Sequence, residues 1–320
     1  MLNIAILGAG TIARKMALTI SKMETVNAYA VGARDLERAK AFANEFNIKK
    51  AYGSYDELVK DKNIDLIYIA TPHTMHYIHA KLCLEHNKHV LCEKPFTVNA
   101  VEARELFEIA KNKKRLITEA MWTRYMPSRK MIDDIISNGE IGEVTSLTAN
   151  LGYQIEDVPR LTDPKLAGGA LLDVGVYMPN FAMMVFGSKI KRYSGHAIMR
   201  DNGVDAMNSI TIEFEDNKMA VLHSSMRGIL NLKGSIFGKK GYIEITNTNN
   251  PEKIEVFDDK FNLIKSLVPP KQITGFEYEI EACRKAIEQG KLECEQMPHS
   301  ETIKVLEIMD SLRKSWNMSY

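Results

Sequence analysis

The sequence predicts an α/β chain in two parts: a doubly wound parallel sheet over residues 1–120, then an α+β part with a largely antiparallel, open sheet over residues 121–320. Three observations predict it. Through the first part, short apolar runs alternate with segments of helical periodicity, which is how a parallel sheet covered by helices on both faces reads. Beyond it, period-two stretches follow one another with few helices between them, as neighbouring antiparallel strands do. At 320 residues the chain is also long for a single core.

The first strand, Asn3–Leu7, ends abruptly in Gly8-Ala9-Gly10-Thr11-Ile12-Ala13, and helical periodicity runs from Thr11 to Met23. Strand, glycine turn and helix in that order let backbone N–H groups approach a pyrophosphate and aim the positive end of a helix dipole at it. The first part is therefore expected to be of Rossmann type, with Gly8, Gly10, Thr11 and Ile12 at a dinucleotide. Further strands are expected near Asn27–Ala33, Lys50–Ala51, Leu66–Ala70, His89–Cys92 and Leu116–Glu119. Two of the intervening helices carry capping-box spacing, Ser54 with Glu57 and Asn99 with Glu102. Ligands of such sheets sit at the carboxyl ends of the strands, where Gly8–Gly10, Thr71-Pro72 and Glu93-Lys94-Pro95 all fall.

In the second part Pro127 opens a helix through Ser137. Strand patterns follow at Val144–Gly152, Ile190–Met199, Ser209–Phe214, Met219–Met226, Leu232–Phe237, Tyr242–Ile245 and Lys253–Phe257. Glu215-Asp216-Asn217-Lys218 reads as a hairpin turn, and helices are expected near Val176–Phe186, Phe276–Gln289 and Ser300–Trp316.

Composition narrows the partners. Lys plus Arg number 42 against 41 Asp plus Glu, a net charge of +1, so nothing draws the chain to nucleic acid or to an anionic membrane. No apolar stretch reads as a bilayer span, and no signal segment precedes the first strand, so a cytoplasmic location is expected. Cys83, Cys92, Cys283 and Cys294 show no CxxC spacing and are expected as reduced thiols.

Four groups of residues carry candidate chemistry. Lys94 follows a strand at the sheet's carboxyl edge, where a cation can orient a dinucleotide and depress the pKa of a neighbouring group. Gly168-Gly169 precedes Asp173 and Tyr177, whose four-residue spacing would put both on the same side were that stretch helical; Tyr177 serves equally as a base assisted by a lysine or as a packed aromatic. Arg34 and, a turn later, Arg38 follow the second strand, where a 2′-phosphate finds planar donors, so NADP is expected over NAD, with Asp35 as the ribose acid should the strand run longer. His73, His76, His79 and Cys83 invite a metal reading, but steps of three drift around a helix and match no zinc pattern, so no metal is expected.

These motifs together resemble the Gfo/Idh/MocA oxidoreductase family: the glycine turn, Ala70-Thr71-Pro72-His73-Thr74-Met75-His76, Glu93-Lys94-Pro95, and Gly169 through Tyr177. The resemblance spans essentially the whole chain. It implies an NAD(P)-dependent dehydrogenase acting on CH–OH groups of sugars, polyols or cyclic diols. It further implies Lys94 and Tyr177 as the catalytic pair, Asp173 beside the substrate and Arg34 at the 2′-phosphate. Thr71, Pro72, His76, Glu93, Trp122 and Arg124 are implied near the cofactor, and a homodimer through the second-part sheet. Two departures stand out: Tyr177 where many members have His, and His73 where Asn is frequent. Some relatives use the nicotinamide as a transient oxidant in redox-neutral glycoside cleavage, and a dinucleotide-sensing regulator is a third reading.

Overall fold

A computed structural model describes residues 1–318, which divide into two compact units: 1–125 with 272–303, and 126–271 with the described residues from 304 onward. The boundary expected at residue 120 thus falls at 125. The second-part assignment of 272–303 is corrected, because the Phe276–Gln289 helix belongs to the first unit.

In the first unit the strands are β1 (Leu2–Leu7), β2 (Val26–Gly32), β3 (Lys50–Tyr52), β4 (Leu66–Ile69), β5 (His89–Glu93) and β6 (Ile117–Ala120). They form one parallel sheet in the order β3-β2-β1-β4-β5-β6, a doubly wound arrangement whose order reverses at β1/β4. All four residues of β4 are buried, as expected of a strand covered on both faces. The helices are α1 (Thr11–Ile20), α2 (Leu36–Phe46), α3 (Tyr55–Lys60), α4 (His76–Glu85) and α5 (Ala100–Lys113). Asn99 caps α5 as its spacing predicts, accepting from Glu102 N at 2.9 Å while Glu102 accepts from Val98 N at 3.2 Å. Ser54 stands at the N-cap of α3, yet its side chain makes no capping bond, so that half of the expectation fails.

The second unit opens with α6 (Pro127–Ser137), with Pro127 at the first turn, where a missing N–H costs nothing. Its eight-stranded sheet comprises β7 (Val144–Gly152), β8 (Ile190–Met199), β9 (Asp205–Phe214), β10 (Met219–Ser225), β11 (Gly234–Gly238), β12 (Gly241–Thr246), β13 (Lys253–Asp258) and β14 (Leu263–Leu267). The order is β14-β13-β12-β11-β7-β10-β9-β8, antiparallel throughout except for β7 beside β10. Two readings need correction. β11 starts at Gly234, because Leu232 sits at φ 55°, outside extended backbone. β14 escaped sequence reading because its half-exposed Leu263–Leu267 shows no inward alternation.

One face of this sheet carries the core: Ala220 and Leu222 of β10, Ile210 and Ile212 of β9 and Leu147 of β7 are buried. The short helix α7 (Pro159–Thr162) precedes the run Pro164–Phe186, which ends in α8 (Tyr177–Phe186). Contrary to the composition reading, Pro164–Phe186 is long and apolar enough to cross a bilayer: an 18-residue window in it has mean hydropathy 1.4, and 83% of that window is buried in the protein. Burial in the core accounts for its apolar character. Helices α9 (Glu277–Glu288) and α10 (His299–Ser315) complete the chain.

Candidate functional site

In the first unit the site is built from backbone at strand tips. Gly8 has φ +114°, and a Cβ there would lie 2.7 Å from the Ala70 carbonyl oxygen, so only glycine lets the β1 and β4 tips approach this closely. Gly10 is the N-cap of α1 and offers no capping side chain, and a Cβ on it would meet nothing within 4 Å. The first N–H groups of α1 thus have no capping side chain, and Gly10 and Thr11 line an open cavity, an arrangement suited to an anion.

The other two expected segments join this edge through one ring. His76, fully buried at the start of α4, places Nε2 2.9 Å from the Thr71 carbonyl and Nδ1 2.8 Å from the Pro95 carbonyl. Two carbonyl acceptors favour the charged imidazolium while burial pushes the ring's pKa down; the neutral ring donates to one of the two. His76 thus ties the Thr71-Pro72 loop to Glu93-Lys94-Pro95. His79 Nδ1 lies 3.0 Å from Thr71 Oγ1, so these histidines serve the loops. Among the described residues no cluster of three or more His, Cys, Asp or Glu is placed to hold a metal.

Glu93, expected at the cofactor, is buried and accepts from the Tyr68 hydroxyl through Oε1 and from Lys94 N at 3.1 Å through Oε2. Burial pushes its carboxyl up. Lys94 is half-buried at the end of β5. Asp35, the alternative ribose acid, caps α2 by accepting from Arg38 N at 2.8 Å. Arg38 donates to the Ala9 carbonyl at 3.1 Å and lines a cavity of about 280 Å³ with Gly10, Thr11 and Arg14. Arg34 is exposed, and its charge and that of Arg38 both reach Tyr55. Arg14 went unnoticed in the sequence, although its place one turn into the helix after a glycine turn is a usable signal.

Trp122 is buried edge-to-face against Phe276, 5.1 Å between centroids, and Lys15 Nζ lies 4.4 Å from both rings. Arg124 is buried in an ion pair with Glu301. It holds the first unit's own segments together, a use the resemblance does not supply.

In the second unit the site rides on an irregular turn. Leu171–Gly175 is a π turn, closed by i→i+5 bonds, and α8 follows it from Tyr177. The helix expected over Val176–Phe186 is thus α8, and the stretch bearing Asp173 is a π turn ahead of it, so the two residues do not lie on one regular helix. Gly168-Gly169 has a steric reason: a Cβ on Gly168 would lie 2.5 Å from the Leu161 carbonyl, to which Gly169 N donates at 2.8 Å. Asp173 is buried and accepts from Arg160 at 3.1 Å. Tyr177 is half-buried. Arg160 was missed, as was buried Asp205 on β9, which accepts from Leu171 N at 3.0 and 3.1 Å.

A family described as "Oxidoreductase family, NAD-binding Rossmann fold" (GFO_IDH_MocA) matches residues 2–121, and the GFO/IDH/MocA C-terminal domain matches residues 130–244. The chain belongs to the Gfo/Idh/MocA oxidoreductase family. It is an NAD(P)-dependent oxidoreductase of that family. Trans-1,2-dihydrobenzene-1,2-diol dehydrogenase of Xenopus tropicalis is 35% identical over 323 residues, 98% of each chain. The human enzyme of the same name is 33% identical over 91% of this chain and 89% of its own. A 3-ketoreductase from Actinomadura kijaniata, solved with NADP and TDP-benzene, shares the fold at TM-score 0.89 and 22% identity, over 98% of this chain and 97% of that one.

Proposed function

We propose that the chain oxidises a secondary alcohol of a sugar, polyol or cyclic trans-diol with NADP, reversibly. The observation that carries this reading is the 35% identity, across 98% of both chains, to a dehydrogenase named for a trans-diol. The dinucleotide fits the first unit on its own geometry: the uncapped start of α1, the Cβ-free space at Gly10 and the guanidinium-lined cavity beside it. Arg34 and Arg38, with Arg14 at the same cavity, are the donors for a 2′-phosphate and support NADP over NAD.

When bound, the nicotinamide accepts a hydride from the carbinol carbon. The Tyr177 oxygen takes the hydroxyl proton, leaving a ketone. An unperturbed tyrosine titrates near about 10, so this role needs a cation that favours the phenolate, which is the part assigned to Lys94. Asp173, held from one side by Arg160, orients the substrate hydroxyl.

We also propose a cytoplasmic homodimer. The four cysteines are buried and free, which suits a reducing setting. The sheet face opposite the second unit's core carries Phe257, Tyr242 and Phe237 in cross-strand register, with Met219 two strands further along. Tyr242 and Phe257 stack at 4.7 Å. Such an apolar row suits a second copy.

The test is absorbance at about 340 nm, where the reduced nicotinamide absorbs, with NADP or NAD and a panel of aldoses, inositols and trans-1,2-dihydrobenzene-1,2-diol. NADPH formation that Tyr177→Phe abolishes supports the reading. Release of free sugar without NADPH points to redox-neutral glycoside cleavage, and tight dinucleotide binding with no turnover points to a sensor.

A further inference from the structure

Asp205 is a fully buried carboxylate at the start of β9, a strand whose Ala206, Ile210 and Ile212 are buried in the apolar core. A carboxylate in such a place is costly unless every acceptor position is used. Two of its donors come from one turn. Both oxygens accept from Leu171 N, at 3.1 and 3.0 Å, and the Ala170 amide faces it as well. Asn208 Nδ2 also donates to Oδ2, at 2.8 Å, and Asp205's own amide faces the carboxylate. Asn208 Oδ1 in turn accepts from Ser224 Oγ at 2.9 Å, across the β9/β10 register that pairs these two residues. Asn208 and Ser224 are also buried, and both stand at inward positions between apolar neighbours.

The turn held by this chain of bonds is the one that bears Asp173 and leads into Tyr177. Its own N-cap residue, Ala170, has no side chain with which to satisfy the first amides, so Asp205 supplies from another strand the cap that local sequence lacks. A π turn is a wide, uncommon conformation that needs support from its surroundings. Support arrives at the other end too: a Cβ on Gly175 would lie 3.0 Å from Ser224 Oγ, so glycine there lets the turn settle against the same network.

We propose that Asp205, with Asn208 and Ser224 behind it, is the positioning residue of the catalytic turn, fixing the π turn so that Asp173 and Tyr177 are presented in one arrangement. The inference rests on the catalytic reading of Tyr177 given above. Asparagine is the discriminating replacement. It nearly matches aspartate in size but offers one acceptor oxygen, and its NH₂ would confront the donor of Leu171 or of Asn208.

The experiment compares wild type, Asp205→Asn, Ser224→Ala and Tyr177→Phe as NADP-loaded full-length protein. It reads backbone hydrogen exchange over residues 168–178, NADPH affinity by fluorescence, and kcat and KM with trans-1,2-dihydrobenzene-1,2-diol. For Asp205→Asn the expected result is at least tenfold faster exchange confined to 168–178, NADPH affinity within twofold, and kcat lowered about 10- to 100-fold, the scale of a small misplacement of reacting groups. Ser224→Ala, which keeps the Asp205 bonds to the turn, should show the same pattern at smaller size and covers the case in which Asp205→Asn does not fold. A general structural role would instead speed exchange throughout the second unit and lower the amount of active protein without changing kcat per folded site. Unchanged protection at 168–178, or loosening there with unchanged kcat, overturns the proposal. If Tyr177→Phe keeps turnover, the catalytic reading fails; if it loses turnover while Asp205→Asn keeps it, only the positioning role fails.

Discussion

The two units build their candidate residues in opposite ways. The first uses backbone at the carboxyl ends of consecutive parallel strands, with Gly8 and Gly10 giving room and His76 tying two loops. The second uses side chains on a π turn that is steadied by polar residues from β9 and β10, more than thirty positions later in the chain. The difference teaches where each kind of change should register: substitutions at the glycine turn and the arginines beside it should act on cofactor affinity, those around the second unit's turn on the chemical step, and Lys94 on both.

The largest effects test that division directly. Tyr177→Phe should lower kcat by about 10²- to 10⁴-fold, the usual worth of acid–base help, and leave the NADP dissociation constant within twofold. Lys94→Met should lower kcat on the same scale and also weaken NADP binding. A double-mutant cycle on the two reads their coupling, and strictly additive losses would remove Lys94 from the task of favouring the phenolate. Equal weakening of NADP binding by both single changes would collapse the distinction between the units.

Next in size is the adenosine end. Arg34→Ala combined with Arg38→Ala should raise the NADP dissociation constant about 10- to 100-fold, as expected for losing charge-assisted hydrogen bonds to a phosphate, while NAD binding stays within threefold. Arg14→Ala belongs to the same titration, since it lines the same cavity. An equal loss for NAD and NADP would show that the guanidiniums serve the helix start and not a 2′-phosphate.

The same contrast explains what could be read in advance. Strand tips of a parallel sheet announce themselves by an apolar run that stops at glycine or proline, so Gly8, Thr71-Pro72 and Lys94 were placed correctly at one edge. Capping was half legible: Asn99 and Ser54 carry the same spacing, yet only Asn99 bonds, because spacing does not set the side-chain rotamer. Asp173 and Tyr177 were visible as residues, but the π turn was not, since an i→i+5 turn has no pattern of its own within five residues. Asp205 was hidden because its partner, Leu171, is an apolar residue that contributes only its amide. Asn208 and Ser224 did leave a trace, as polar residues at inward strand positions beside Ile210 and Leu222. The return of residues 272–303 to the first unit has no local signature, because α9 is an ordinary amphipathic helix whichever unit it covers.

The smallest effect sharpens the comparison most, because it sets a second buried carboxyl against Asp205. Glu279 on α9 is fully buried in the first unit, and neither of its oxygens has a hydrogen-bond partner. Burial, reinforced by the charge of Glu93, pushes its pKa well above the model-compound 4.5 and outweighs the help of Lys15. An acid whose folded-state pKa is raised adds no pH-dependent cost while it is protonated in both states. As pH rises through the unfolded-state value the unfolded chain releases a proton that the folded one retains, so stability falls until the folded-state value is passed. Glu279→Met removes that penalty. It should therefore gain on wild type as pH rises from about 4 toward neutral, read in thermal or urea unfolding. Burial raises the Asp205 carboxyl as well, yet Asp205→Asn should destabilise, through lost bonds and not through titration, since Asp205 is bonded on both oxygens and Glu279 on neither. If Glu279→Met is instead destabilising at every pH, the carboxyl has a partner in solution, and the bare acid of the first unit would be as firmly engaged as its counterpart on β9.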